Sequence, residues 1–491
     1  MNILDIERDE RGKVLIFSLM LGIRTFGYTL GWSAVQTILL KRLGIDSLPY
    51  SFIFFAIIGM IGTFFYLLFA DVISRQKLLK IFCSATGITI IISGFFIPSE
   101  GSSNGLILSC FLILAGNGIG YSTTGIQIWT LINDTFTPAQ GTRIYPIIAT
   151  APLLGSIAGG TVIPVLVDRL GMKSLIIIWG ITVMVVLPLL EILQKYYGDE
   201  IISKTAYMDK ISRNFLLNLK EGFLFSLTSP LVKVLGLICI LFWTVASLKE
   251  FQYGKIMSIT FPTEAELSKY YAYFNIYLHI TVLIFQLLFT GKIIKTTGVS
   301  RGFSILPVTI LSGLILVLIS FSFYSGVIMR FAWDLVAMTV QGSIFQLSFN
   351  GIAAPYRGRI RGFLEGFINP LGGILGGAII IIINKCLYNT PSMSIMSNRA
   401  IITIIAIVFS LAWIFVALIT KKYYRKAIIE NLSSSDRRTC MDSIEMLVEL
   451  EKSVAMEKSM QFLKVEDEEV KRVLEKTMKI LTCDGKKEYF T

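Results

Sequence analysis

The sequence predicts an all-α polytopic membrane protein with about twelve transmembrane helices in two parallel six-helix halves. Three observations support this prediction: an apolar composition, a series of apolar runs of membrane-spanning length, and a repeat that relates the two halves. Of the 491 residues, 54% are hydrophobic and 16% are charged, against about 45–50% and 25% in soluble domains. A soluble fold has too little core to bury so much apolar surface, so the composition indicates a membrane protein.

The apolar runs recur from Val14 to Thr420 with short polar breaks between them. A bilayer core about 30 Å thick is crossed by about 20 helical residues, and the runs have this length. They are continuously apolar, as in 401–419, whereas the strands of a membrane β-barrel alternate between apolar and polar residues. The predicted helical spans are 14–40, 48–70, 78–98, 105–132, 144–167, 174–194, 232–250, 271–290, 302–323, 326–349, 360–384 and 400–420.

The distribution of positive charge predicts how these spans are oriented. The net charge is +12. With both termini inside, 22 Lys and Arg residues fall in inner segments and nine fall in outer segments. Because positively charged loops stay in the cytoplasm, both termini are predicted to be cytoplasmic. The surplus charge is therefore interpreted as a topology signal, and no nucleic-acid partner is predicted.

A shift of 217 residues aligns the fourth and fifth spans with the tenth and eleventh. Because six spans separate the two copies, both copies cross the membrane in the same direction. We therefore predict a first bundle (1–194), a cytoplasmic linker (195–231), a second bundle (232–420) and a cytoplasmic tail (421–491). The identical pairs are Gly125 with Gly342, Asn133 with Asn350, Pro138 with Pro355, Gly141 with Gly358, Leu154 with Leu371, Gly155 with Gly372, Ile157 with Ile374, Gly159 with Gly376 and Gly160 with Gly377.

This organisation resembles that of major facilitator transporters, whose substrate site lies between two such halves near the middle of the membrane. The loop 70–77, between the second and third spans, is similar to a signature of that superfamily in which an aspartate is followed by a small residue and then by basic residues. The resemblance implies a gating role for charged residues near the cytoplasmic helix ends. The residues we assign to gating are Asp71, Arg75, Lys77, Arg359 and Arg361.

Several stretches resemble one branch more closely, the bacterial relatives of the ATP/ADP translocases found in plastids and obligate intracellular bacteria. This resemblance implies nucleotide exchange and a location in the bacterial inner membrane. The nucleotide exchangers carry a cationic cluster after an aromatic element in the first span. Here 26–29 is similar to the aromatic element, and 31–35 carries no cation. The stretches that carry the resemblance are 39–44, 48–50, 133–146, 250–252, 359–361, 365–366 and 370–372.

Polar residues within the spans are the candidates for substrate binding, because an ionisable group in the bilayer is costly and marks a pathway or a partner. Arg24 either forks onto a carboxylate or phosphate of the substrate or forms a structural ion pair. Glu365 either pairs with the arginine four residues before it or takes part in coupling and gating. His279, the only histidine, either relays protons or packs. Asn133 and Asn350 either offer amides to the substrate or end their helices.

Four further charged residues near span ends are interpreted as structural. Arg330 and Asp334 are four residues apart, which predicts a local pair on one helix face. Lys249 and Glu250 end the predicted seventh span, where a position near the membrane interface is favoured over one in the pore.

The sequence has no Walker loop and no H-E-x-x-H, and its six cysteines show no C-x-x-C spacing, so no enzyme, metal site or cofactor is predicted. We predict a secondary active transporter that moves a polar solute by alternating access through a cavity lined by spans 1, 4, 7 and 10. Anionic solutes, including ATP and ADP, are one class of substrate. The alternatives are proton-coupled transport of another metabolite or drug-like solute, and a non-transporting lipid-moving or sensor protein.

The predicted partners are a small-molecule solute and the lipid bilayer. The tail carries two apolar stripes at helical spacing, which predict two short amphipathic helices. These helices dock either on the cytoplasmic face or on a protein partner. The stripes are Met441, Ile444, Leu447 and Leu450, and Val470, Leu474, Met478 and Leu481.

Overall fold

The computed structural model describes residues 7, 10–70, 73–98, 103–136, 138–208, 228–388, 395–431, 439 and 443. Every regular element in these ranges is helical. The spanning helices are α1 (Arg11–Leu43), α2 (Leu48–Ala70), α3 (Arg75–Phe96), α4 (Asn104–Thr135), α5 (138–170), α6 (172–208), α7 (Pro230–Thr260), α8 (Glu264–Ile294), α9 (Ile305–Ile319), α10 (Phe323–Gly351), α11 (Tyr356–Cys386) and α12 (Ile395–Asn431).

Ten helices in the described part of the chain are long and apolar enough to cross a membrane. One of them, Pro138–Met208, contains both α5 and α6, because Gly171 has a φ of 72° and turns the chain between them. Glycine adopts a positive φ without a steric penalty. The shorter α9 is also apolar, so the described residues form twelve apolar helical segments. The predicted all-α polytopic fold is confirmed.

Several helices extend beyond their predicted spans. α7 continues to Thr260, so Lys249 and Glu250 lie within this helix and not at its end. α6 continues to Met208 and α12 to Asn431, so the starts of the predicted linker and tail are helical. Hydropathy marks the bilayer core, whereas helical hydrogen bonding continues past it, which explains these differences. The two apolar stripes of the tail lie outside the described residues.

Repeat-related glycines make equivalent contacts in the two halves, α1–α6 and α7–α12. A Cβ on Gly155 of α5 would lie 2.1 Å from the carbonyl oxygen of Gly22 in α1. A Cβ on Gly372 of α11 would lie 2.4 Å from the carbonyl oxygen of Ile240 in α7. Only glycine allows backbones to approach this closely. The packing of α5 on α1 is therefore repeated by the packing of α11 on α7.

The last glycine pair of the repeat, Gly160 and Gly377, faces the opposite half. A Cβ on Gly160 would lie 3.0 Å from the carbonyl oxygen of Ala272 in α8, and one on Gly377 would lie 2.7 Å from that of Pro49 in α2. α5 and α8 thus pack across the boundary between the halves, and so do α2 and α11. These two helix pairs hold the halves together.

Polar contacts join the halves at the end of the bundle opposite the chain termini, which we call the distal end. Arg42 donates through Nε and Nη2 to the two carboxylate oxygens of Glu264, at 2.6 and 2.9 Å. Lys269 Nζ lies 2.8 Å from Asp168 Oδ1. The distal end is therefore closed by charged contacts. Two further contacts there join Lys41 with Ser258 and Asp46 with Asn384.

Candidate functional site

A cavity of about 480 Å³ lies between the halves at mid-height. The first half contributes residues of α1, α2 and α4, and the second half contributes residues of α7 and α11. Of the described residues that line the cavity, Glu365 alone carries a formal charge. The side chains that give this central cavity its character are Tyr28, Trp32, Asn117, Tyr121, Trp243 and Glu365.

Turns of π-helix shape two walls of the central cavity. One turn, Gly116–Tyr121, interrupts α4, and another, Leu364–Ile368, interrupts α11. A π-turn adds a residue to an α-helix and is frequent at functional sites. Asn117 and Tyr121 of the first turn and Glu365 of the second line the cavity. The polar and aromatic groups of these walls therefore lie where the helical backbone departs from regular geometry.

An aromatic stack of Tyr121, Tyr28 and Trp32 forms the wall on the first half. The ring centroids of Tyr121 and Tyr28 are 4.1 Å apart, with planes inclined by 14°. Those of Tyr28 and Trp32 are 5.8 Å apart, with planes inclined by 11°. Such offset, nearly parallel rings attract one another beyond the effect of burial alone. The stack therefore presents a flat aromatic surface to the cavity.

Arg24 lies behind this wall and is 8% exposed. Its guanidinium carbon lies 3.6 Å from the centroid of the Tyr121 ring. Its Nε donates to Thr124 Oγ1 at 3.2 Å, and its Nη2 donates to the carbonyl oxygen of Tyr121. No described carboxylate pairs with it. A cation–π contact and two hydrogen bonds therefore stabilise a charge that would otherwise be costly within the bilayer.

A charge cluster of Lys249, Glu250, Arg330 and Asp334 lies in the second half, with Lys249 buried and the other three half-buried. Arg330 Nη1 is 2.7 Å from Glu250 Oε1, and its Nε is 3.3 Å from Asp334 Oδ2. Lys249 Nζ is 3.3 Å from Glu250 Oε2 and 3.9 Å from Asp334 Oδ1. Two cations thus balance two anions, as buried charges require. Gln36 of α1 donates to Glu250 at 3.5 Å, so the cluster reaches the other half.

Of the five predicted substrate residues, one lines the central cavity and a second lies behind its wall. Glu365 lines the cavity, and Arg24 lies directly behind the aromatic stack. The predicted helix-face pair is confirmed, because Arg361 Nε lies 3.0 Å from Glu365 Oε1. The role of either residue in substrate binding stays a prediction.

The other three predicted substrate residues lie elsewhere. His279 is half-buried on α8 and its Nδ1 lies 2.7 Å from the carbonyl oxygen of Asn275. Asn133 is exposed close to the end of α4, and Asn350 is half-buried near the end of α10. None of these three lines the central cavity, and their role in substrate binding also stays a prediction.

Four of the five residues assigned to gating are described, and they lie at the end of the bundle that carries the termini. Arg75 forms an ion pair with Asp134 of α4, which ties α3 to α4 within the first half. Lys77 is exposed and Arg359 is half-buried. Asp71 lies outside the described residues, so its predicted contact stays a prediction.

Sequence reasoning missed the aromatic stack and did not assemble the charge cluster. The local pair of Arg330 and Asp334 is confirmed, but Lys249 is only 3% exposed and belongs to the same cluster. The residues that meet are far apart in the chain, by 97 positions for Arg24 and Tyr121. One signal was present: the four charges fall on spans 7 and 10, two of the spans predicted to line the cavity.

No family model matches the sequence, and no curated protein matches it. Solved structures of transporters match it at low identity. The nucleoside transporter NupG matches with a TM-score of 0.61 at 13% identity, covering 82% of this chain and 98% of that one. A POT family transporter in complex with 5-aminolevulinic acid matches with a TM-score of 0.57 at 14% identity, covering 84% and 96%.

A third match is a bacterial homologue of the human lysosomal transporter Spinster in an inward-facing, unoccupied conformation. Its TM-score is 0.54 at 12% identity, covering 86% of this chain and 99% of that one. These structures are transporters and not enzymes, and each is matched over nearly its whole length. At such identities the likeness establishes the fold. The chain is therefore an integral membrane protein with the fold of major facilitator transporters.

Proposed function

We propose that this protein is a secondary active transporter that carries a polar solute across the membrane by alternating access. The observation that carries the proposal is the central cavity, which is built from both halves at mid-height while charged contacts close the distal end. A site between two halves is the arrangement that rocking of one half against the other exposes to each side in turn. The Arg42–Glu264 pair and the Asp168–Lys269 pair then break when the distal end opens.

We propose that the distal end faces outwards and that both termini are cytoplasmic, in a bacterial inner membrane. The support is the excess of Lys and Arg at the terminal end, since positively charged loops remain inside. The bundle, linker and tail boundaries predicted above and the gating role of Arg75 and Arg361 belong to the same proposal. In this orientation the charged contacts of the distal end close the outer side of the protein.

Two classes of substrate remain candidates for the cavity. Nucleotide exchange is supported by the sequence resemblance, but not by Arg24, whose donors are directed to Thr124 and to the Tyr121 carbonyl. Proton-coupled transport of another metabolite or drug-like solute is supported by the charge of the lining, in which Glu365 is an acid. We place a proton-coupled substrate between the aromatic stack and Glu365, whereas a nucleotide would have to bind there despite the charge of Glu365.

Uptake of labelled ATP into proteoliposomes tests the nucleotide version. The purified protein is reconstituted with ADP inside, and vesicles without ADP and vesicles without protein serve as controls. Uptake that requires internal ADP, and that Trp32→Leu in the cavity wall abolishes while Trp129→Leu outside the lining does not, would establish exchange through this cavity. An absence of uptake with folded protein would reject nucleotides and leave proton-coupled transport to be tested with an imposed pH gradient.

A further inference from the structure

We infer that the central cavity selects planar aromatic cations, which stack on the Trp32 end of the aromatic stack and place their positive charge beside Glu365. This inference rests on the proposed function, because it names the substrate class of the same site. It follows from three features: a rigid flat wall, a second aromatic wall across the cavity, and a lining whose single formal charge is negative.

The aromatic stack is fixed from behind. Trp179 is fully buried and meets both Tyr28 and Tyr121 edge-on, with ring centroids 5.8 and 6.4 Å away. A Cβ on Gly31 would lie 2.2 Å from the Trp179 ring, and one on Gly27 would lie 1.7 Å from Thr182 Oγ1. α1 and α6 thus touch where the stack is anchored. A wall held this tightly loses little conformational freedom when a ligand stacks on it, which favours binding.

Arg24 completes this support without adding a cation to the lining. Its donors are directed to Thr124 and to the Tyr121 carbonyl, and its charge lies against the Tyr121 ring. It is not among the residues that line the cavity. We therefore assign it a positioning role: it holds Tyr121, and through Tyr121 the rest of the stack.

The opposite wall comes from the second half. Trp243 of α7 is 39% exposed and lines the cavity with Ser247 and Glu365. Aromatic rings on both walls suit a flat ligand, because every planar ring offers a face for stacking. The volume of about 480 Å³ falls in the usual range of small-molecule pockets, roughly 300–1,000 Å³.

The charge of the cavity lining determines whether flat cations or flat anions bind more tightly. Aromatic faces attract cations through the ring quadrupole, and Glu365 attracts them directly. Arg361 holds Glu365 Oε1 at 3.0 Å but is 48% exposed and outside the lining, so it positions the carboxylate from the solvent side. An anion in this cavity meets the carboxylate of Glu365, which repels it. Cations are therefore preferred over anions of similar shape.

Equilibrium binding to the purified full-length protein tests this inference without requiring transport. The probes are labelled 1-methylpyridinium, which is planar and cationic, benzoate, which is planar and anionic, and choline, which is cationic without a ring. We expect the pyridinium to bind at least about tenfold more tightly than either other probe, a difference of about 1.4 kcal/mol. Similar affinities for all three probes, tighter binding of benzoate, or no binding of the pyridinium would overturn the inference.

Matched variants locate the binding. Trp32→Leu and Glu365→Gln are each expected to weaken pyridinium binding about tenfold or more, within the range of one stacking or ionic contact. Trp129→Leu, in α4 but outside the cavity lining, and Glu191→Gln, with its side chain 65% exposed, are the controls. Equal effects of the cavity variants and their controls would place the binding elsewhere and overturn the inference.

Failure here is distinguishable from failure of the proposed function. Counterflow of the pyridinium in proteoliposomes and the opening of the distal end are measured on the same preparation. A protein that opens but does not bind the pyridinium remains a transporter with another substrate. A protein that binds it selectively but never opens supports the binding site and contradicts transport.

Discussion

The two halves share their packing but not their chemistry. The repeated glycines contact corresponding residues of α1 and α7. Gly22 in α1 corresponds to Ile240 in α7, and the contacts of Gly159 and Gly376 show that Phe26 corresponds to Thr244. These contacts relate α1 to α7 by a shift of 218 residues, which pairs Arg24 with Phe242 and Trp32 with Glu250. Where the first half has a lone arginine and a stacking tryptophan, the second half therefore has a phenylalanine and a half-buried carboxylate.

The fourth and tenth spans differ in the same way. The 217-residue shift pairs Ile113 with Arg330 and Asn117 with Asp334. The first half thus offers an aromatic surface, while the second half holds a balanced charge cluster in its equivalent place. The comparison teaches that the two halves share the close helix contacts, which tolerate no side chain, and differ at the neighbouring polar and aromatic positions.

The largest expected effect comes from unbalancing the charge cluster. Arg330→Met leaves two carboxylates with Lys249 as their one cation, and breaking a buried pair in this way costs about 3–5 kcal/mol. The free energy of unfolding in mixed micelles with sodium dodecyl sulphate measures it. Adding Glu250→Gln restores the balance, and we expect the double variant to regain most of the loss. A loss under about 1 kcal/mol for Arg330→Met would show that the two carboxylates do not need Arg330 to balance their charge.

Replacing a repeated glycine with alanine should lower the free energy of unfolding by a similar amount in the two halves. Gly155→Ala and Gly372→Ala each place a Cβ against a backbone carbonyl oxygen that has no room to move, and overpacking of this kind costs about 1–3 kcal/mol. The same unfolding assay compares them with Gly362→Ala, whose added Cβ meets no atom within 4 Å. Unequal losses for Gly155 and Gly372 would break the equivalence of the two packings.

Arg24 should matter less than Arg330, although both arginines are largely buried. Arg24→Met removes a charge that no described carboxylate balances, so no opposite charge is stranded. The expected cost is about 0.5–2 kcal/mol from the lost cation–π contact. Arg24→Lys should recover only part of it, because an ammonium lacks the flat face and the fork. A loss as large as that of Arg330→Met would contradict the contrast drawn between the halves.

The smallest expected effect is at the pair of Arg361 and Glu365. Its arginine is 48% exposed, and an exposed pair one helical turn apart contributes about 0.3–0.5 kcal/mol. Arg361→Gln should therefore leave the free energy of unfolding almost unchanged, as should Lys426→Gln in the more exposed pair with Glu430. A large loss of unfolding free energy for Arg361→Gln, but not for Lys426→Gln, would mean that the ion pair with Arg361 stabilises the charge of Glu365 in the folded protein.

The sequence was sufficient for the fold because hydropathy, loop charge and the glycine repeat are properties of contiguous segments. It identified Glu365 as a candidate because a carboxylate within an apolar run is costly. It could not assemble the aromatic stack, since Tyr28 and Tyr121 look like ordinary membrane aromatics until α1 and α4 are placed side by side. It misplaced Lys249 because hydropathy ended the seventh span early.

The central claim is alternating access, and distances between paired spin labels across the distal end test it most directly. Leu170 and Ile259 are exposed there, at 61% and 59%, and Ser74 with Gly358 form an exposed pair at the terminal end. Each position is changed to Cys in a cysteine-free background and measured by double electron–electron resonance in liposomes. The account predicts two distance populations for each pair, with the distal pair lengthening as the terminal pair shortens when solute or a pH gradient is applied. A single distal population, unchanged under every condition, would contradict it.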